Sequence, residues 1–552
     1  MLNELCCDVL IVGGGTGGCA AALAACRAGK RVIMAEPCEW IGGQFTSQAV
    51  PPDENRWIET HGATASYLAF RRALRGFYQD YYPLRAAARH DLELNPGNGF
   101  VSRLCAEPQV AHAVLSQMLM PYASQGLLRI LRFFAPIAAD VDSDRVRSVT
   151  LRSSQGEPDV TVTAPYILDA TELGDLLPLT GCEFIVGAES QDQTGELHAK
   201  PGPPAPHNVQ AITWCFAMGY DPTPGADHTI ACPEQYVRWR DTVPALDPPW
   251  PGERFGWIDY APHLSAPRHD FLFRDEYAPQ AGRQGVSYFA YRQIVEPSHW
   301  DGDRVPHPVT IVNWRMNDYL AADLLSPDPA ERRRALDESR QLSLAYFYWL
   351  QTETPNFTTG GQGYPGLYLR GDTTGTNSGL AQAPYIRESR RIRARFTVTE
   401  QHVGTLARTG IDHRPGVPVD ERLVGERAAP FPDSVGIGHY RIDLHPSAGG
   451  DNSIDISALP FQIPLGALVP VRLRNLLPAC KNIGTTHITN GCYRLHPVEW
   501  NIGESAGALA AFCIDLGVEP AQVHDAPELL GDFQAALRGQ GVRLTWPATL
   551  PA

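Results

Sequence analysis

Three glycines near the start of the chain have the types and spacing of a binding site for a diphosphate. Gly13, Gly15 and Gly18 directly follow the apolar run Val9–Val12, which predicts a strand buried on both faces. In this context the first glycine permits a tight turn, the second lets the backbone approach a pyrophosphate, and the third lets the helix pack on the sheet. The pyrophosphate would lie at the helix N-terminus, beside the free N–H groups around Thr16 and Gly17. The stretch therefore predicts a dinucleotide-binding site.

An acidic residue narrows the kind of dinucleotide. Glu36 lies 18 residues after Gly18, at the end of the next predicted strand. A carboxylate there can accept hydrogen bonds from both hydroxyls of an adenosine ribose, which favours FAD or NAD over NADP. The pair Gly42-Gly43 follows, and backbone free of side chains there could run along the ligand while Gln44 hydrogen-bonds it.

Four titratable side chains near the end of the chain have the chemistry to move a proton: His487, Tyr493, His496 and Glu499. Each could accept a proton from an alcohol or amine while the neighbouring carbon loses a hydride. His496 is the first candidate and His487 the second, and the sequence leaves the choice open. Pro497 predicts the first turn of a helix. Its small residues from 503 to 508 would allow a close approach to a planar ring.

Composition limits the classes of partner. Lys and Arg total 46 against 61 Asp and Glu, a formal charge of −15 that disfavours binding to nucleic acid or anionic lipid. The five arginines between 387 and 395 are interpreted as a solvated helix face with one or two cofactor contacts. No apolar run has the length of a membrane span, and no metal-ligand spacing is found. The first strand starts too early for a signal peptide, and the twelve cysteines include no CxxC. We therefore expect a cytoplasmic protein with reduced thiols.

The remaining pattern predicts the elements that position these residues. Helices are predicted over 61–80, 107–125 and 328–351, with another opening at 383–391, and β-runs over 128–134, 145–152, 160–163 and 434–445. The glycine-rich string 360–366 lacks a preceding strand and is not a second dinucleotide site. Residues 181–326 are rich in proline and large aromatics, which predicts a lobe that lines a pocket.

These elements predict an α/β fold: a Rossmann-like dinucleotide-binding domain with a parallel sheet and an accessory β-meander, plus an inserted α+β substrate lobe. The predicted division is 1–180 for the first part of the dinucleotide-binding domain, 181–326 for the aromatic-rich lobe, 327–430 for a helical bridging segment, and 431–552 for the last part of the dinucleotide-binding domain.

The order of motifs resembles FAD-dependent oxidoreductases of the glutathione-reductase-like superfamily, related to the tRNA-modifying flavoproteins and to heterodisulfide reductase flavin subunits. The resemblance rests on the glycine stretch with Glu36, on Gly42-Gly43, and on the segments 169–175, 385–391 and 475–507. It implies FAD as cofactor, with the last helix against the flavin, where its positive end would favour hydride acceptance at N5. The further cofactor contacts that we expect from it are Thr171, Asp175, Arg387, Asn501 and Gly503.

Two departures reduce the range of reactions. The stretch 480–484 lacks the Gly-Asp pair that is usual in flavin hydroxylases, and the WxWxIP pattern of flavin halogenases is absent. The leading hypothesis is an enzyme that dehydrogenates a small organic substrate and passes electrons to oxygen or a carrier. The alternatives are a monooxygenase that uses free NAD(P)H and, from another class, an RNA-interacting or electron-transfer flavoprotein. The substrate, the acceptor and the oligomeric state stay open.

Overall fold

The structure is a computed structural model, which describes residues 3–259, 268–273, 285–303, 305–357, 359–413, 421–423 and 425–548. In this part of the chain, no helix is both long enough and apolar enough to cross a lipid bilayer.

A five-stranded parallel sheet, here called the central sheet, forms the base of the fold and confirms the predicted Rossmann-like architecture. Its strands run, in spatial order, Leu476–Pro478, Tyr166–Asp169, Val9–Val12, Val32–Glu36 and Leu128–Arg132. The middle strands are buried over their whole length, as expected for a parallel sheet covered on both faces. The carboxyl ends of Val9–Val12, Val32–Glu36 and Tyr166–Asp169 therefore meet along one edge of this sheet.

The accessory β-meander is also present, with one strand more than the sequence pattern distinguished. Its order is Asn3–Cys6, Val160–Thr163, Arg145–Ser153 and Phe134–Asp142. The predicted run 128–134 is split, because Phe133 adopts a left-handed backbone (φ 66°) that ends the central-sheet strand and starts the meander.

The inserted lobe contains an antiparallel sheet in the order Gln293–Val295, Val309–Val312, Phe216–Tyr220 and Leu367–Leu369. The long helix Pro329–Thr352 belongs to the same hydrophobic cluster, which extends to Ile386. We therefore propose that the lobe continues beyond residue 326. Short two-stranded pairings complete the β-structure: Ile212–Thr213 with Asp318–Tyr319, Ile258–Asp259 with Arg268–His269, Phe184–Ile185 with Arg391–Ile392, Ser434–Gly438 with Phe461–Pro464, and Ile442–Leu444 with Ile454–Ile456.

The α-helices pack around these sheets. They are Thr16–Arg27, Ala65–Tyr81, Ala86–Arg89, Pro108–Ser124, Leu176–Thr180, Gln191–Thr194, Tyr236–Asp241, Tyr288–Tyr291, Pro329–Thr352, Gly371–Thr374, Glu400–Val403, Thr405–Thr409, His487–Tyr493, His496–Leu516, Pro520–Asp525 and Pro527–Gly539. Short 3-10 turns cover Gly43–Phe45, Pro297–His299, Arg315–Asn317, Glu421–Leu423 and Leu465–Leu468.

The first helix, Thr16–Arg27, and the long C-terminal helix, His496–Leu516, pack on each other at very short distance. A Cβ atom at Gly503 would lie 2.0 Å from the Gly17 carbonyl oxygen, and one at Gly507 would lie 2.3 Å from that of Ala21. Glycine is therefore required at both positions for the two backbones to meet.

The prediction that a helix opens at 383–391 is wrong. Tyr385 exchanges backbone hydrogen bonds with Thr213 in both directions, so the chain is extended there. Arg387 and Arg391 have no exposed surface and Arg390 is 7% exposed, so this segment is not a solvated face either. Buried guanidinium groups need carbonyl or carboxylate partners. Arg387 finds them in the lobe, whereas Arg390 pairs with Asp175 and the Leu173 carbonyl of the dinucleotide-binding part.

Candidate functional site

The glycine stretch forms the turn that the sequence predicted. Gly13 has a φ of 101°, and a Cβ there would lie 2.2 Å from the Ala170 carbonyl oxygen. A Cβ at Gly18 would lie 2.0 Å from the Gly13 carbonyl oxygen. Thr16 donates its hydroxyl hydrogen to the Gly42 carbonyl at 3.0 Å, which joins the turn to the second glycine pair. The first-turn N–H groups of helix Thr16–Arg27 have no intrahelical acceptor, so this turn, here called the cradle, has the donors that an anion requires.

Glu36 ends its strand beside this cradle. Its Oε2 atom accepts from the Gly14 N–H at 2.8 Å and its Oε1 atom from the Cys38 N–H at 2.9 Å. Burial raises the pKa of Glu36 to about 7, with the two backbone donors opposing the shift. Each carboxylate oxygen retains a further lone pair for a ribose hydroxyl.

The second glycine pair curves back over the cradle. Gly42 and Gly43 have φ values of 114° and 53°, and a Cβ at Gly43 would lie 2.9 Å from the Cα of Gly15. Gln44 follows, and its amide donates to the Arg494 carbonyl at 3.0 Å and to Glu499 Oε2 at 2.8 Å. The structure therefore brings Gln44 and Glu499 together, although 455 positions separate them.

A buried ion-pair cluster lies beside the cradle, and the sequence did not predict it. Lys481 is 1% exposed and pairs with Glu172 and, at 3.5 Å, with Glu499 Oε2. Burial opposes its charge, but Cys480 and the two carboxylates raise the pKa of Lys481, which keeps it an ammonium ion. Potential metal-ligand atoms of Glu172, Cys480 and Glu499 lie within 4.8 Å of one another, and the ammonium group contacts all three residues.

Unpaired acceptors in this region fit a cofactor with hydroxyl groups. Among the described residues, Gln44 Oε1, Glu172 Oε1 and Glu499 Oε1 are buried without a hydrogen-bond donor. A buried polar atom without a partner is unfavourable, and the ribityl and ribose hydroxyls of FAD are donors. The cradle, Glu36 and these acceptors together therefore have the donor and acceptor set that FAD requires.

His496 lies at the start of the C-terminal helix and is completely buried. Its Nδ1 atom accepts from the Asp53 N–H at 3.1 Å, and its Nε2 atom has no partner among the described residues. Burial lowers the pKa of His496 to about 4. The ring is therefore neutral at neutral pH, carries its proton on Nε2, and presents a hydrogen-bond donor and not a base.

Polar side chains that the sequence analysis did not single out surround Asp53. The Tyr440 hydroxyl donates to Asp53 Oδ1 at 3.2 Å, and an Arg292 nitrogen lies 3.9 Å from the same atom. Arg494 donates to the Tyr385 hydroxyl at 2.8 Å. These residues come from four distant segments without a common motif, so only the fold brings them together.

His487 lines a cavity of about 520 Å³ between the lobe and the C-terminal part of the chain. Its Nδ1 atom lies 3.0 Å from Glu388 Oε2. Burial alone would lower the pKa of His487, but the Glu388 carboxylate raises it above the ordinary value. Two further histidines of the wall have the same arrangement: His445 Nδ1 lies 2.6 Å from Asp318 Oδ2, and His198 Nδ1 lies 2.6 Å from Glu400 Oε1.

Other residues that were expected at the site have structural partners. Asp169 accepts from both the N–H and the hydroxyl of Thr171. Asp175 pairs with Arg390 at 3.4 Å. Arg387 pairs with Asp318 at 3.2 Å inside the lobe.

Residues of the long C-terminal helix His496–Leu516 and of the helix before it also have protein partners. Asn501 bonds the Ile437 N–H and the Val435 carbonyl, and Gly503 packs on Gly17. The small-residue face at Gly503 therefore packs against the first helix. The Tyr493 hydroxyl donates to the Gln462 carbonyl at 2.7 Å, which occupies its proton.

The parallel sheet, the glycine-rich turn and Glu36 at the end of the next strand define a dinucleotide-binding fold. The family model described as FAD dependent oxidoreductase matches residues 8–537. The chain belongs to this family, is an oxidoreductase, and has FAD as its cofactor.

Comparison with solved structures gives distant similarities. The chain is similar to a geranylgeranyl bacteriochlorophyll reductase-like protein from Thermoplasma acidophilum at 10% identity, with 98% of this chain and 85% of that chain covered and a TM-score of 0.31. It is similar to L-proline dehydrogenase from P. horikoshii at 15% identity, with 35% of this chain and 26% of that chain covered and a TM-score of 0.17. For the flavin-dependent monooxygenase PieE in complex with FAD and substrate, the identity is 13%, the coverage 40% and 36%, and the TM-score 0.22. No curated protein matches the chain.

Proposed function

We propose that this oxidoreductase dehydrogenates a small organic substrate by hydride transfer to flavin N5 and is reoxidised by oxygen or another acceptor. The observation that carries the proposal is the 520 Å³ cavity with His487 in its wall, paired behind the wall with Glu388. Its volume is in the range of small-molecule sites. The pair has the arrangement of a general base with a carboxylate that orients it.

The position of His487 relative to the cofactor cradle supports this role. The helix His487–Tyr493 starts at the cavity and leads to Arg494, whose carbonyl binds Gln44 beside Gly43. Seven helical residues span about 10 Å, so one short helix joins the wall of the cavity to the residue that binds Gln44. FAD, when bound, supplies the hydride acceptor.

His487 is the proposed base, and His496 has a different role. In His487 the carboxylate of Glu388 holds Nδ1, so Nε2 is the atom that accepts the proton of a substrate hydroxyl or amine. The resulting imidazolium is stabilised by Glu388, whose own pKa is lowered to about 2 by His487 and Arg391 against the effect of burial. In His496 the accepting nitrogen is already used by Asp53. We therefore assign His496 as a donor that polarises or positions a bound carbonyl group.

The cofactor contacts that we propose follow from the same geometry. The backbone of Gly13, Gly15, Thr16, Gly17 and Gly18 holds the pyrophosphate, and Glu36 the adenosine ribose. Gly42, Gly43, Gln44 and Glu499 lie toward the ribityl chain. For Thr171, Asp175, Arg387, Asn501 and Gly503 we propose a supporting role, because each has the protein partner described above.

Wider features of the chain support the remaining proposals. Membership of the glutathione-reductase-like superfamily is supported by the parallel sheet with its β-meander. A small-molecule partner, and not nucleic acid, is supported by the charge of −15. A cytoplasmic location is supported by twelve cysteines that are all free.

The test is anaerobic mixing of the purified holoenzyme with panels of alcohols, amines and hydroxy acids, with the flavin absorbance as readout. The proposal predicts that one chemical class bleaches the oxidised flavin and that air restores the colour. A flavin that every organic candidate leaves oxidised, but that NADH or NADPH bleaches rapidly, would overturn it in favour of the monooxygenase reading.

A further inference from the structure

Glu172 lies over the glycines of the cofactor cradle. A Cβ at Gly15 would lie 2.9 Å from its Oε1 atom, and a Cβ at Gly43 would lie 2.8 Å from the same atom. The carboxylate thus contacts both glycine turns at the place where a pyrophosphate approaches the backbone. A carboxylate and a pyrophosphate are both anions, so they compete for this place beside the glycines.

Lys481 is the counter-ion of this carboxylate. Its ammonium group pairs with Glu172 and lies 3.5 Å from Glu499 Oε2. Glu499 is completely buried and its Oε2 atom already accepts from Gln44. Buried ammonium groups require a nearby negative charge. If Glu172 leaves the cradle, Lys481 loses one of its two carboxylate partners and needs another anion in its place.

We propose that Glu172 is a placeholder for the cofactor pyrophosphate and that Lys481 exchanges this carboxylate for the phosphate groups when FAD binds. Lys481 is then a cofactor-binding residue, and Glu172 weakens FAD binding by competing for the same cation and the same cradle. The exchange keeps one ion pair to the ammonium group in both states. The proposal concerns cofactor affinity and does not depend on which substrate is oxidised.

The unpaired Oε1 atom of Glu172 supports this direction of exchange. It is buried without a donor among the described residues, so the carboxylate is incompletely satisfied in the cradle. A carboxylate that moves outward gains water, and a phosphate that enters gains the helix N-terminus and the ammonium group.

The experiment measures FAD affinity of apoprotein, prepared by bromide dialysis, through the quenching of FAD fluorescence. Glu172→Gln removes the competing charge and keeps the side-chain shape, so we expect Kd for FAD to fall about tenfold. Kd for ADP, measured by competition, should fall by a similar factor, whereas Kd for adenosine, which has no phosphate, should stay unchanged. Equal or weaker FAD binding by Glu172→Gln would overturn the proposal.

The role of Lys481 is tested in the Glu172→Gln background. Removal of the ammonium group there leaves Glu499, but not Glu172, as a carboxylate without its counter-ion. Adding Lys481→Met should weaken FAD and ADP binding at least tenfold relative to Glu172→Gln alone. Matched controls are Glu183→Gln and Lys30→Met, which remove surface pairs with Arg472 and Asp515 and should leave Kd unchanged. Unaltered affinity in the double variant would show that Lys481 has a structural role only.

Discussion

The Nδ1 atom of His496 accepts the backbone N–H of Asp53 at 3.1 Å, across 443 positions of the chain. This hydrogen bond decides what the histidine can do. A ring that accepts at Nδ1 and is neutral carries its proton on Nε2, so it donates and does not remove protons. The two histidines considered as bases, His496 first and His487 second, are therefore distinguished by their partners: a backbone N–H for His496 and a carboxylate for His487.

The depressed pKa of His496 predicts a contribution to the dependence of stability on pH. The unfolded chain binds the proton below about pH 6.5, but the folded protein binds it only below about 4. The contribution of His496 to the free energy of unfolding is therefore fully present above pH 6.5. It is lost as the pH falls toward 4, and the loss amounts to about 3 kcal/mol. Urea unfolding at several pH values should show a smaller loss in His496→Gln. An identical loss in both proteins would contradict a buried neutral His496.

His487 should control the pH dependence of flavin reduction. A base must be neutral to act, so the rate with substrate should rise with pH through a pKa above the ordinary histidine value, in the direction that Glu388 imposes. His487→Gln should lower the rate by about 10²–10⁴-fold and remove this rise. The control is His524→Gln, because His524 pairs with Asp525 at the surface and should keep the wild-type profile. A retained pH profile in His487→Gln would exclude His487 as the base.

Glu36 should contribute to the affinity for the adenosine part of the cofactor. Glu36→Gln replaces one acceptor oxygen of the carboxylate by a donor and removes its charge, so we expect about tenfold weaker FAD binding. ADP, which contains the same ribose, should weaken by the same factor, whereas riboflavin, which lacks the adenosine, should not. Fluorescence titration of the apoprotein gives all three constants. If riboflavin affinity fell as much as FAD affinity, Glu36 would have to contact the flavin part of the cofactor and not the adenosine part.

The close approach of the helices Thr16–Arg27 and His496–Leu516 gives a test of Gly503. Gly503→Ala puts a methyl group 2.0 Å from the Gly17 carbonyl oxygen, which should destabilise the protein by about 1–3 kcal/mol. The matched control is Gly531→Ala in the helix Pro527–Gly539, where a Cβ meets nothing within 4 Å. That change should stabilise by up to about 1 kcal/mol. Weaker FAD binding by Gly503→Ala at unchanged stability would instead support direct contact with the cofactor.

Local patterns predicted the cradle, and distant pairings did not follow from them. Gly13, Gly15 and Gly18 lie in one short stretch whose close backbone contacts require glycine, so their spacing was sufficient to predict the turn. Arg387, Arg390 and Arg391 are buried because their partners come from distant parts of the chain, and a charged run whose partners are unknown resembles a solvated face. In the sequence, the stretch that contains Lys481 differed from other flavoproteins only because it lacks the Gly-Asp pair that is usual in flavin hydroxylases. The carboxylate partner of Lys481, Glu172, lies 309 positions away.

The most direct test of the proposed dehydrogenation is the rate of anaerobic flavin reduction by a substrate that carries deuterium at the carbon to be oxidised. Hydride transfer from that carbon predicts a clearly slower reduction than with the unlabelled substrate, with the same final bleaching of the flavin. Equal rates for the two substrates, with flavin reduction that requires NADH or NADPH, would contradict the account.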